Sequence, residues 1–139
     1  SNPYDEATWK PLQEVLINIS DLAAQHEKEP RVLVLLDCAR QLPDARFGNF
    51  VLSFSNEAQR VVRSLSRDNI AVLMSADANQ YSWPTPELGG TAFGVNVMRG
   101  LQGQADVDKK LWKRITVKEL YDFVKKETSH YVWKSRKAV

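Results

Sequence analysis

The chain has 139 residues, enough for one domain of ordinary size, and its 43% hydrophobic and 26% charged residues suit a globular protein with its own core. One cysteine excludes an internal disulfide, and with two histidines in all a structural zinc site would need carboxylate help. The net charge of +2 is unevenly spread: residues 109–139 carry ten Lys/Arg against three Asp/Glu, which leaves the acidic excess on the first 108.

No apolar run reaches the roughly 18–20 residues of a membrane span. The amino-terminal stretch is polar and lacks a signal-peptide pattern, so a cytoplasmic protein is the expectation. Ser1-Asn2 reads as a cloning remnant, and the expected domain is 3–139. The basic stretch has the charge to meet nucleic acid or an anionic membrane face. No recognition motif interleaves its charges, so it reads as a solvated helix surface, with no nucleic-acid partner. His26 follows a first helix and His130 lies near the carboxyl end, without metal-ligand spacing, so neither metal nor cofactor is expected.

Along the chain, Leu12, Val15, Leu16, Ile19, Leu22 and Ala23 recur at three- and four-residue spacing and predict an amphipathic helix, with Pro11 in its first turn. The polar run 25–30 ends it. Val32 to Leu36 are five apolar residues without alternation, the pattern of a strand buried on both faces in a parallel sheet. Residues 41–48 form a loop around Pro43-Asp44. Val51, Phe54, Ala58, Val61, Val62 and Leu65 predict a second helix, and Ile70 to Met74 a second apolar strand. Strand, helix and strand make a βαβ unit with a right-handed crossover and parallel strands.

Residues 77–90, with two prolines and two adjacent glycines, lie past that strand's carboxyl end as a candidate binding loop. Thr91 to Leu101 predicts a helix with Phe93, Val97, Met98 and Leu101 inward, ended by Gly100 and Gly103. Thr116 and Glu119 form a capping box ahead of a last helix, which either runs on toward Tyr131 and Trp133 or breaks near Thr128-Ser129. Two strands are too few for a sheet covered on both faces. Short strands at 79–83 and 113–115, and strands outside this chain, are expected to complete it.

Sites in open α/β sheets gather beyond the carboxyl ends of strands, which here draws attention to Asp37, Cys38, Ala39 and Arg40. A strand followed by Asp37-Cys38-Ala39-Arg40, a helix, and a strand followed by Ser75-Ala76 resemble the caspase and metacaspase family, whose corresponding first strand ends in Asp-x-Cys-Arg. Downstream, Tyr81-Ser82-Trp83 and Gly90-Thr91-Ala92-Phe93 are similar to its Ser-Trp-Arg and Gly-Ser-x-Phe. Gly100-Leu101-Gln102-Gly103-Gln104-Ala105-Asp106 resembles Gly-Leu-x-Gly-x-Ala-Asp, and Ile115-Thr116-Val117-Lys118-Glu119-Leu120 resembles Ile-Thr-x-x-Glu-Leu. The resemblance spans residues 31–124 and implies the carboxyl-terminal portion of an α/β caspase-like three-layer sandwich with a mostly parallel sheet.

The resemblance also implies a cysteine endopeptidase with a Cys-His dyad, a thiolate nucleophile and a histidine that protonates the leaving amine. Aligning Asp37 and Arg40 with the family puts Ala39 at the nucleophile position and Cys38 one residue away. At a strand end one residue turns a side chain to the opposite face. Three explanations stand side by side: a natural pseudo-protease, a nucleophile replaced by design, and a bulge that re-aims Cys38. No strand ending in His-Gly precedes Arg31, so the dyad histidine would come from outside this chain. Ser82 and Trp83 fall at the substrate-binding motif, but Pro84 replaces its arginine, which argues against aspartate specificity. Asp37 is either the acidic group that receives Lys or Arg, as in metacaspases, or a carboxylate capping backbone N–H groups. The segment 106–112 resembles a calcium loop but lacks its glycine and places two lysines among the ligands. Trp83, Trp112 and Trp133 are either a binding surface or packing residues. The expected function is a catalytically inactive caspase-like module that binds a protein, a peptide or another part of its own polypeptide. The alternatives are an active endopeptidase fragment using Cys38 and an unrelated small-ligand α/β domain, although no phosphate-binding glycine loop follows either strand.

Overall fold

The computed structural model describes residues 10–28, 30–37, 54–65, 68–77, 80, 82–85, 87, 89–106 and 114–137. The chain is mixed α/β. In order it forms α1 (Leu12–Ala24), β1 (Val32–Leu36), α2 (Phe54–Ser64), β2 (Ile70–Met74), β3 (Pro84–Thr85), β4 (Gly90–Thr91), α3 (Ala92–Arg99), a π-type turn (Gly100–Gln104) and α4 (Val117–Lys137).

Strands β1 and β2 pair in parallel, from Val32 beside Ile70 to Leu36 beside Met74, as the βαβ pattern predicts. The expectation that β1 is buried on both faces is not met. No residue of β1 is fully buried, and Leu35 is 41% exposed. Among the described residues this sheet has only two strands, so each strand has one neighbour and one open edge. The short strands expected at 79–83 and 113–115 are also absent from the described residues there: Ser82, Trp83, Arg114 and Ile115 are not in strands. A two-residue antiparallel pair, β3 with β4, stands instead.

The first two helices pack on each other and are tied to the ends of β2. Ser20 and Asn69 exchange hydrogen bonds before the strand, and the Ser55 hydroxyl donates to the Ala76 carbonyl after it (3.2 Å). In α1 the buried face is Leu16, Ser20 and Ala23, at four- and three-residue steps. Val15 and Leu22 each precede that face by one residue, a 100° turn of the helix, and are exposed. Pro11 stands just before the first turn rather than within it, and its carbonyl accepts the Val15 N–H. Of the expected α2 positions, Val51 lies outside the described residues, and the buried residues are the small Ser55 and Ala58.

The main core lies between β2, α3 and α4: Leu73, Phe93, Val97, Ala105, Leu120 and Val124, with Leu33, Ile115 and Phe123 against it. Met98 and Leu101, expected to face inward, are 59% and 53% exposed. Met98 lies one residue past the buried Val97, a 100° turn of the helix, and Leu101 one residue past Gly100, where α3 crosses α4. Gly100 is buried at that crossing, and a Cβ there would lie 2.5 Å from Leu120 Cδ1 and 3.2 Å from Phe123 Cδ1. With the backbone itself against α4, the next side chain is turned outward, and the π-type turn begins. Within it stands Gly103, whose φ of +107° is a left-handed conformation that favours glycine. The capping box forms as predicted: the Thr116 N–H donates to Glu119 Oε2 (2.8 Å) and the Glu119 N–H to Thr116 Oγ1 (3.1 Å). From there α4 runs through Thr128-Ser129 without a break for 21 residues.

Candidate functional site

Asp37 follows the last residue of β1, at the sheet's carboxyl end. Its Oδ1 accepts the Ser82 hydroxyl at 2.7 Å, and its Oδ2 accepts the Thr91 hydroxyl. Thr91 is also the N-cap of α3. Its backbone is extended (φ −105°, ψ 156°), so its Oγ1 can accept the Gly94 N–H at 3.0 Å while donating to Asp37. A hydroxyl is one donor with two acceptor lone pairs, and Thr91 uses both capacities. Gly94 leaves room for the capping hydroxyl, since a Cβ there would sit a tight 3.1 Å from Thr91 Oγ1. The carboxylate stands beside the first turn of α3, where the helix dipole favours negative charge.

The β3–β4 pair holds the two donors in place. The Ala92 N–H donates to the Trp83 carbonyl at 2.8 Å, and the Thr85 hydroxyl to the Gly90 carbonyl at 3.1 Å. Ser82, Thr85 and Thr91 are all buried, while Asp37 is half-buried. The junction is thus a partly sheltered carboxylate with both oxygens engaged by buried hydroxyls. Such a carboxylate can orient a strand end.

Of the residues singled out from the sequence, the structure brings Asp37 and Ser82 together, and it adds Thr91, which sequence reasoning placed in a motif but not in the site. The signal was present: a threonine directly before a helical pattern is an N-cap candidate. Trp83 is half-buried beside Ser82 and contributes its carbonyl. Pro84 is exposed and opens β3. Cys38, Ala39, Arg40 and Trp112 lie outside the described residues. Trp133 is 55% exposed on α4. His26, in the turn closing α1, and His130, on α4, are both exposed. Among the described residues no group of three His, Cys, Asp or Glu is placed to hold a metal ion, and no helix is long and apolar enough to cross a membrane.

A second polar link joins the β3–β4 turn to α4. The Tyr131 hydroxyl donates to Glu87 Oε1 at 2.5 Å. That bond lowers the Glu87 carboxyl below its ordinary range and raises the Tyr131 hydroxyl above its own.

Comparison of the chain with protein-family models, with curated proteins and with solved structures finds no match.

Proposed function

We propose that this chain is the carboxyl-terminal portion of a caspase-like domain, a three-layer sandwich with a mostly parallel sheet, acting as a non-catalytic module that binds a protein or peptide. The observation that carries this reading is the Asp37–Ser82–Thr91 junction. Three stretches that resemble the family separately, around residues 37, 82 and 91, meet there through side-chain hydrogen bonds. The glycines of a fourth have definite work: Gly100 lets two helices cross and Gly103 turns the chain. The half-exposed apolar β1 is what a central strand looks like when part of its sheet is supplied from elsewhere.

Loss of catalysis follows from the alignment. Asp37 fixes the register of the strand end, so the nucleophile position falls to Ala39, whose methyl group has no nucleophilic chemistry. Cys38, one residue off, acts as a small apolar side chain. The whole polypeptide, assayed with peptides ending in Lys, Arg or Asp, is expected to hydrolyse none of them. Cys38 is expected to react slowly with a thiol reagent until the protein is unfolded. Hydrolysis that disappears in Cys38→Ser would overturn this reading in favour of an active cysteine endopeptidase with a histidine from outside this chain. In the Ala39→Cys variant of the whole polypeptide, hydrolysis gained at Lys or Arg would mean that the cleft survives and only the nucleophile is lost.

A further inference from the structure

The outer edge of β2 has the features of a peptide-binding site. In a parallel pair, alternate residues of a strand turn their N–H and C=O toward the neighbour. Here the Val32 N–H donates to the Asn69 carbonyl at one end, and the Ser75 N–H to the Leu36 carbonyl at the other. With the register between them, that phase assigns Asn69, Ala71, Leu73 and Ser75 to β1. The backbone groups of Val72 and Met74 therefore point the other way. No strand among the described residues pairs with them.

A groove of about 420 Å³ runs along this edge, lined in succession by Val72 to Ala76. Strand side chains alternate, and Leu73 faces the α3–α4 core. A groove that takes in both Leu73 and its two neighbours follows the edge itself rather than one face. Gln59 of α2 lines it, as do Tyr121 and Lys125 of α4. The Ser75 hydroxyl, also lining it, is buried and has no hydrogen-bond partner among the described residues. The two charges of the lining differ in availability. Asp77 accepts the Gln59 amide at 2.6 Å, whereas the Lys125 ammonium stands over the Tyr121 ring, 5.5 Å from its centre.

We propose that this edge takes up an extended peptide strand from a partner polypeptide, with apolar residues at alternate positions and an acidic side chain beside Lys125. Main-chain pairing to Val72 and Met74 supplies the affinity, and the alternate side chains meet the groove wall formed by Tyr121 and Lys125. A second copy of this chain fits poorly, because its own β2 edge lies recessed between α2 and α4 in the same way. The inference rests on the proposed reading only in taking the domain as protein-binding, and it uses none of Asp37, Ser82 and Thr91.

The test is fluorescence anisotropy with the intact chain and a labelled synthetic peptide of about seven residues, Val and Thr alternating, with a central Glu or a central Lys. The Glu peptide is expected to bind roughly tenfold more tightly than the Lys peptide, the size of effect a charge-assisted contact gives. Met74→Pro removes an outward N–H and leaves the β1 pairing intact, since proline is tolerated on the solvent side of an edge strand. It is expected to weaken binding about tenfold through the lost strand hydrogen bond and its unpaired acceptor. Lys125→Glu, at an exposed position, keeps the fold and reverses the Glu-over-Lys preference. Binding that neither variant changes overturns the proposal, as does no binding of either peptide, or a dimer of the chain whose formation Met74→Pro abolishes. Thiol labelling of Cys38 and peptide hydrolysis report on the β1 end and do not depend on this edge, so failure there is seen separately.

Discussion

Thr91→Val removes one oxygen and nearly nothing else. Valine matches threonine in volume and suits the extended backbone at this position, and the side chain is 2% exposed, so packing is kept. Two interactions go. Loss of an N-cap costs about 1 kcal/mol, within a range of roughly 0.5–2. The donor to Asp37 Oδ2 also goes, and a hydrogen bond to a charged group contributes about 1.5–3 kcal/mol. Asp37 is half-buried, so water replaces part of that bond and the lower end applies. The expected total is about 2–3 kcal/mol. With a urea slope of roughly 1.5–2 kcal/mol/M for a domain of this size, the midpoint falls by about 1–2 M.

The control is Thr116→Val, the N-cap of α4, whose hydroxyl also donates to a carboxylate, Glu119 Oε2 at 2.8 Å, but at an exposed place within its own capping box rather than at a sheet end. Water replaces that exposed bond, so the expected cost is that of the cap, about 1 kcal/mol. Thr91→Ser keeps the hydroxyl and loses one buried methyl, about 0.8 kcal/mol. In an Asp37→Asn background Thr91→Val should cost less than in the wild type, because part of the bond it breaks has already been weakened. If Thr91→Val costs no more than Thr116→Val, or if Thr91→Ser is as damaging as Thr91→Val, the hydroxyl junction does not hold the strand end and the argument built on it fails.

Gly100→Ala and Gly103→Ala are expected to destabilise for different reasons: steric overlap with Leu120 at the first, about 1–3 kcal/mol before a helix-propensity gain of up to about 1, and backbone strain at the second, about 1–2 kcal/mol. Leu120→Val should recover stability in the Gly100→Ala variant and none in Gly103→Ala, a comparison read by urea unfolding. Leu120→Ala, at 2% exposure in the α3–α4 core, is expected to cost about 2–5 kcal/mol, and a loss under 1 would mean that the core is not closed there. The Glu87–Tyr131 link contributes above the ordinary carboxyl range and is lost as pH falls through the lowered Glu87 value; at the alkaline end it is present below the ordinary tyrosine range and lost as Tyr131 ionises. In Tyr131→Phe the Glu87 titration, followed by carboxyl-carbon NMR, should move up toward the ordinary glutamate range, its backbone hydrogen bond still holding it down in part, and an unmoved midpoint refutes the link.

The helices and the two main strands were legible because each carries its own periodicity or apolar run, and the α4 cap because its box is local. What failed depended on neighbours. An apolar run such as Val32–Leu36 records the environment the strand is built for, not the one these residues alone provide, so β1 reads as buried while Leu35 is 41% exposed. The inward face assigned to Met98 and Leu101 is one residue out of phase: Phe93, Val97 and Gly100 face inward, and a glycine has no apolar side chain to mark its place in the pattern. Strands of two residues, as in β3 and β4, have no period to read. The partners of Asp37 lie 45 and 54 residues downstream, beyond any local spacing rule, and only their motifs hinted that they belong together.

The junction also bears on what Asp37 can do for a ligand. A carboxylate free to receive a lysine or arginine would present both oxygens to the cleft, in the bidentate geometry that makes such pairs strong. Here each oxygen already accepts a buried hydroxyl, and one of those hydroxyls is tied in turn to the first turn of α3. Any movement of the carboxylate toward an approaching cation would pull on the α3 cap. The same bonds make Asp37 an effective anchor, since they fix the strand end, the Ser82 segment and a helix N-terminus to one another. On this geometry Asp37 acts as the post that ties the carboxyl end of β1 to the β3–β4 pair and to α3, and Thr91→Val, by loosening that post, lowers stability.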